Sequence, residues 1–569
     1  MQDRYAGRLG AVAALLAAMA WAGATPAGTL SGRVRGADGA PVPGAMVTLT
    51  DAASGVGESV YADAAGRYRL QTRHLAGHLA LRVRHPYFRD WRGALDLAAA
   101  QRARRDVRLE ALVEAGEISD SLPAAYHFGR IRFAEGTVFA RDRFQRDCLT
   151  CHQVGNDLTR VPRDALAWEA SIERMHKYLG NFDVGLRQQR AQLLADAFDG
   201  KPLDVRPHFG FDPAIAGAHL TQYRLDGALL PHDAEVSPDD GLVYIADQFG
   251  DQLIVTDLGS GQSRRFPVSP QGMNVGGKFA RLGIPALGDA AARLYRGPHS
   301  LAVGPDGRWY TTDTFATEIG VFNPRTASWD PPYAIPDGSR MPSLYPHTIR
   351  FDRAGKAWFT LAFSEQVGRL DPASRKVDVI DLPPGQSLGV ASGTVPYGID
   401  VDPGDGSVWY ARLWADRIGR IDPQTLAVTE FASPVKGPRR LRFGGDGTLW
   451  LTGYSDGVIA EIRTNGTQAF SSRVHALPEF APGHRPAAYA LAVAPGTGHV
   501  WVNETMTDRL YRYDPRRGRW TVYPLPLRGT YTREISFTRT GEVCTSNNPF
   551  PVGALEGGVA ELICIDPGR

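Results

Sequence analysis

Two cysteines two residues apart, followed at once by a histidine, are the residues of this chain with the most definite chemistry: Cys148-Leu149-Thr150-Cys151-His152. On one turn of helix both sulfurs can reach the two vinyl groups of a haem, and the histidine held by the same turn can coordinate the iron. The other use of such a pair, a dithiol redox couple, goes with a thioredoxin-like context, which this sequence lacks. The expectation is one covalent haem c bound through Cys148, Cys151 and His152, with His152 as a metal ligand.

The amino terminus fits that chemistry. Arg4 and Arg8 precede an apolar run from Leu9 to Ala20, and Ala22-Gly23-Ala24 offers the small-x-small pattern of a cleavage site. Residues 1–24 read as a signal peptide, giving a periplasmic or secreted protein. The run is shorter than the roughly 20 residues of a spanning helix, and no later segment is long and apolar enough, so no membrane span is expected after cleavage. In an oxidising compartment Cys544 and Cys564 can pair. The formal charge of +2 and the absence of a basic block speak against a nucleic-acid partner.

The elements that must position the motif fall into three parts, as a chain of 569 residues suggests. The fold class expected is mainly β and multidomain. Residues 28–112 alternate apolar and polar positions between Gly, Pro and Asp turns, the pattern of a small β-sandwich. Residues 113–215 carry the motif, and Trp168 to Tyr178 and Leu186 to Phe198 have helical apolar spacing. From 216 to 569 a repeat dominates. One unit reads Pro346-His-Thr-Ile-Arg-Phe-Asp, then Trp358-Phe-Thr, then Gln366-Val-Gly-Arg-Leu-Asp-Pro, and units also start at Pro231, Pro298, Pro396, Pro438, Ala488 and Thr532. Their spacing is mostly 42 to 50 residues, that of propeller blades, and seven starts predict seven blades. The last unit lacks its final strand, so residues 219–226 are expected to complete it and remove the open edge. Cys544 and Cys564 then fall on neighbouring strands. The longest spacing, 67 residues, carries a surplus around Asn274 to Tyr295 that would lie over one mouth as a candidate lid.

Three resemblances add to this. The stretches Asp38-Gly-Ala-Pro-Val-Pro-Gly-Ala-Met-Val and Asp63-Ala-Ala-Gly-Arg-Tyr resemble the carboxypeptidase regulatory-like family, which implies a non-catalytic spacer or adhesion module. The run from Trp168 to Met175 resembles the Trp-to-Met helix of small periplasmic cytochrome c domains. That implies a helical cytochrome c domain over 113–215, with Met175 as the second iron ligand and a raised reduction potential; His176 and His127 are the rivals. The repeat resembles the virginiamycin B lyase (streptogramin lyase) family, through its Pro-His/Tyr-x-Ile, Asp-Gly-x-x-Trp-Phe/Tyr and Ile-Gly-Arg-Ile-x-Pro pieces.

Equivalent positions of a closed propeller form a ring, and the residue after each Pro-like start begins an inner strand near one mouth. Read around, the ring is His232, His299, His347, Tyr397, Arg439, Tyr489 and Arg533. The imidazoles could act as acid or base or hold a divalent metal, and the arginines could orient an anionic group. The lyase resemblance implies a ring histidine paired with a nearby acid and a magnesium ion. His299 and His347 match the histidine position; Asp313 follows Trp309 in the second blade as the acid. Candidate catalytic residues are therefore His299, His347, Asp313 and His232, with Tyr397, Arg439, Tyr489 and Arg533 binding ligand. Three functions are open: electron transfer or haem-linked oxidoreduction of a small molecule at the mouth, with a periplasmic redox partner; a lyase-like carbon–oxygen elimination with an accessory haem; and a non-catalytic shuttle whose propeller binds a protein.

Overall fold

The computed structural model describes residues 28–568 apart from 138–139, 179–182, 269–295, 389–392, 465–469, 482–483 and 552. The expected signal peptide and the connection 274–295 lie outside the described residues.

Each repeat unit folds as the four-stranded antiparallel sheet its turns dictate. In the third blade the strands are Pro346–Phe351, Ala357–Leu361, Gln366–Asp371 and Lys376–Asp381. The first turn is fixed by Asp352, whose carboxylate accepts the Lys356 N–H at 2.9 Å and the Trp358 indole N–H at 2.8 Å. Gly355 makes the turn at φ +77°, a left-handed conformation that a side chain would strain. The two inner strands are almost wholly buried and the outermost is half exposed. Six blades have this order.

The seventh blade closes the ring. Its strands Thr532–Phe537, Val543–Asn547 and Glu561–Asp566 are completed by His219–Arg224, which comes from before the first blade. Cys544 and Cys564 stand directly opposite one another and are joined by a disulfide, with Cα atoms 4.1 Å apart. That is just under the roughly 4.4 Å lower end of the usual range.

The amino-terminal sandwich is not a detached spacer. One of its sheets contains Val56–Tyr61, which pairs with His219–Arg224, so that sheet and the seventh blade form one eight-stranded sheet. The physical reason is the blade's otherwise open outer edge, which the sandwich covers. Arg73 adds ion pairs to Glu542 and Asp566, and the Tyr61 hydroxyl donates to the Pro524 carbonyl at 2.6 Å.

The intervening residues form five short α-helices among the described residues: Ala115–Asp120, Ala124–Phe128, Arg141–Cys148, Ala165–Tyr178 and Val184–Ala197. They do not make a self-contained core. Phe128, Phe144, Trp168 and Leu194 belong to one apolar cluster with Phe315, Tyr397, Trp414 and Tyr531 of the propeller. So few short helices enclose little apolar surface alone, and the propeller supplies the rest.

Candidate functional site

The ring read from the repeat converges as expected. Every inner strand carries a β-bulge just after its first residue: two residues, such as His232 and Asp233, oppose one on the next strand. The bulge turns consecutive side chains into the channel, giving two stacked layers. In the outer layer the His232 and His299 rings lie 3.5 Å apart centre to centre, His299 and His347 4.1 Å, and His347 and Tyr397 3.9 Å. Arg439 donates to the Tyr397 hydroxyl at 2.6 Å. Arg533 donates to the Tyr489 hydroxyl at 2.8 Å and reaches His232 Nε2 at 3.2 Å. Burial pushes the His299 imidazole down to about 3 and those of His232 and His347 well below their ordinary value, so the three are neutral bases at pH 7.

Beneath them lies a layer of paired charge. Arg440, fully buried, meets Asp233 at 3.0 Å and Glu534 at 3.0 Å, and Glu534 also takes Arg442 at 2.6 Å. Gly398 holds the equivalent place in the fourth blade, where a Cβ would stand 2.6 Å from the Arg439 carbonyl oxygen.

The Cys148–His152 loop is docked onto this mouth. Tyr454 and Tyr531 each donate a hydroxyl to the Leu149 carbonyl at 2.5 Å. Tyr531 also donates to Thr150 O at 2.8 Å, and Arg533 to Cys151 O at 3.2 Å. The helix before the loop is pinned by Arg146, fully buried, which meets Asp416 at 2.9 Å. Between loop and mouth lies a cavity of about 760 Å³, within the range of cofactor pockets. Cys148, Cys151, His152, Trp168 and Met175 line one side; His232, His299, His347, Tyr397 and Arg533 line the other.

The donor set at the loop fits haem attachment. His152 Nδ1 sits 2.7 Å from the Gln153 carbonyl, which places the proton there and leaves the Nε2 lone pair for a metal. Burial pushes the Cys148 thiol up to about 12, which makes it a poor redox thiolate. Met175 and His176 both reach the cavity, but His176 Nε2 is engaged by Arg190 at 3.2 Å. His127 bonds the Ser119 carbonyl at 3.0 Å and does not line the cavity.

One expectation is corrected: Asp313 does not face the ring. It ends its strand opposite Pro298 and pairs with Arg296 at 2.9 Å, an ion pair within the second blade; burial pushes its carboxyl up to about 7. For a divalent metal the ring is a poor fit at His232, which spends both nitrogens on Asp233 and Arg533, and two arginines share the ring. No metal-ligating cluster occurs among the described residues. Of the ligand-binding candidates, Tyr397 and Arg533 reach the cavity, while Arg439 and Tyr489 lie behind them.

Sequence reasoning missed the apolar rim. Phe249, Phe315, Phe363 and Trp414 line the cavity, and each stands two residues beyond the end of its blade's second strand. That repeated placement was the available signal.

Comparisons with known proteins agree with the two β parts. The profile of the virginiamycin B lyase family matches residues 290–543, and that of the carboxypeptidase regulatory-like domain matches residues 29–110. A virginiamycin B lyase of Nocardia farcinica (strain IFM 10152) is 26% identical over 226 residues, spanning 35% of this chain and 76% of that protein. Among solved structures, a streptogramin B lyase aligns with TM-score 0.48 and 20% identity over 61% of this chain and 98% of its own. The virginiamycin B lyase from Staphylococcus aureus aligns with TM-score 0.47 and 19% identity over 61% and 99%. The site lies on a virginiamycin B lyase-like propeller, joined to a carboxypeptidase regulatory-like domain.

Proposed function

We propose that this protein is an exported c-type cytochrome that oxidises or reduces a small molecule held against its own propeller mouth. The observation that carries the reading is the shared cavity, with the Cys148–His152 loop on one wall and the His/Tyr/Arg ring on the other. Haem bound there through Cys148 and Cys151, with His152 and Met175 as its ligands, would supply one-electron chemistry. The chain's own residues do the rest. Phe249, Phe315, Phe363 and Trp414 exclude water, the neutral imidazoles of His299 and His347 orient the ligand, and Arg533 fixes the loop. A periplasmic redox partner would exchange electrons with the haem. The test is to mix purified ferric protein with candidate substrates: haem reduction that keeps pace with product formation is expected, and turnover with no haem spectral change would overturn the reading.

A lyase reading is favoured by the family match over residues 290–543. It would place the ligand against His299 and His347 for a carbon–oxygen elimination, the haem serving an accessory role. Turnover with an unchanged haem spectrum is its signature. The third reading, a shuttle with a protein on this mouth, loses ground because the Cys148–His152 loop already covers it.

Met175 carries a separate expectation. Ferric protein should show the weak near-infrared band of a methionine–iron bond, and Met175→Ala should remove it. A spectrum unchanged in that variant would shift the assignment to His176, whose nitrogen would first have to leave Arg190.

A further inference from the structure

The outer layer of the mouth is out of charge balance. Arg439 and Arg533 are 0% and 3% exposed, and neither has a carboxylate within ion-pair distance among the described residues. The acids of the channel are already taken, Asp233 and Glu534 by Arg440 one layer down. Buried guanidinium groups without a counter-ion are costly. Arg439 instead stacks on aromatic faces, 4.0 Å from the ring centre of Tyr489, 4.3 Å from Tyr454 and 4.5 Å from Tyr397.

The protons do not balance either. The Tyr397 and Tyr489 hydroxyl oxygens are 3.1 Å apart. Their remaining partners are both donors: Arg439 to Tyr397 at 2.6 Å and Arg533 to Tyr489 at 2.8 Å. Guanidinium cannot accept a proton. Two phenols bring two protons, but among the described residues the pair offers an acceptor for only one, the oxygen of its own neighbour.

We infer that Tyr397 and Tyr489 form a phenol–phenolate pair, one proton shared between two oxygens, and that this pair is the proton-accepting site at the inner end of the cavity. It neutralises part of the excess charge of Arg439 and Arg533. Tyr397 lines the cavity and Tyr489 lies behind it. A proton given up by an O–H or N–H group of a bound ligand passes to Tyr397, whose own shared proton moves onto Tyr489. The pair then holds two protons, the ligand is left as its anion, and no electron moves. The groups facing the pair are Arg439, Arg440, Arg533, Tyr454 and Tyr531, with His347 against the Tyr397 ring. Although burial raises a phenol, the three arginines outweigh it at Tyr489 and bring it down to about 8. The role in turnover rests on the reading proposed above; the ionisation does not.

The test is tyrosinate absorbance near 295 nm, taken as the difference between holoprotein and its Tyr489→Phe variant, so that the haem contribution cancels. One tyrosine should titrate with a midpoint at or below about 8, some two pH units under the ordinary value of about 10, and the variant should lack that step. Arg533→Met should move the step up by at least one unit, while a haem spectrum that matches the parent shows the mouth still folded. If no tyrosine ionises below about pH 9.5, the inference fails. It fails equally if sodium formate binds saturably to the parent but not to Arg533→Met with no tyrosine step, because a ligand anion would then be the counter-ion. Haem that proves inert to every substrate would sink the oxidoreductase reading and leave this titration unaffected.

Discussion

Covalent haem should vanish completely when Cys148 and Cys151 are both replaced by alanine. Protein made in a host with cytochrome c maturation should keep its haem stain through denaturing electrophoresis, and the double variant should show none. The expectation is absolute because no other thiol is available: Cys544 and Cys564 are spent on the seventh-blade disulfide. A single replacement leaves one thioether and a weakened stain. The loop itself should survive the change, since Leu149, Thr150 and Cys151 are held through their backbone carbonyls by Tyr454, Tyr531 and Arg533. Stain that persists in the double variant would refute the attachment and, with it, the proposed function.

The largest loss of stability should come from Arg440→Met. Arg440 is fully buried between Asp233 and Glu534, also fully buried, and ties the first, fifth and seventh blades across the channel. Removing one partner from a buried ion pair leaves uncompensated charge and typically costs roughly 3–5 kcal/mol. The pH dependence has a definite sign. In the parent, burial raises the Asp233 carboxyl, but Arg440 more than offsets this, so it titrates below its ordinary value. A depressed carboxyl contributes stability above its unfolded pKa, about 3.9, and that contribution is lost as pH falls through the folded value. Without Arg440 burial prevails and the carboxyl rises. The deficit of the variant should then be greatest at neutral pH and shrink as pH falls through the variant's raised Asp233 value towards about 4, where the variant's carboxyl becomes protonated while the parent's is still ionised. Adding Asp233→Asn to the variant should recover part of the loss. Urea midpoints across pH 4 to 8 would check this; a deficit that does not change with pH would mean that lost packing, not lost charge, is responsible.

The comparison of sequence with structure turns on how far apart the deciding residues lie. The repeat determined the propeller. Its starts from Pro231 to Thr532 recur because every blade solves the same local problem, and the missing last strand required His219–Arg224 to close the ring. Ring membership followed too, since equivalent positions in a closed ring share a face; this is why His232, His299 and His347 were legible as neighbours. The Cys148–His152 motif stands out in the sequence because the chemistry expected of it needs only adjacent residues.

Tertiary structure alone decided the rest. Nothing local says that Leu149 will meet Tyr531, 382 positions away, so the seating of the motif over the histidine ring was invisible. The same distance hid the joining of Val56–Tyr61 to the seventh blade, where an open strand edge found a partner from another domain. Asp313 shows the converse. Its strand position was read correctly, but whether it faced the channel or Arg296 depended on where neighbouring charges came to rest. The charge excess around Arg439 and Arg533 likewise appears only once the fold has placed every carboxylate. Sequence fixes which groups are present and which recur on one face; three-dimensional packing determines which charges are left without partners.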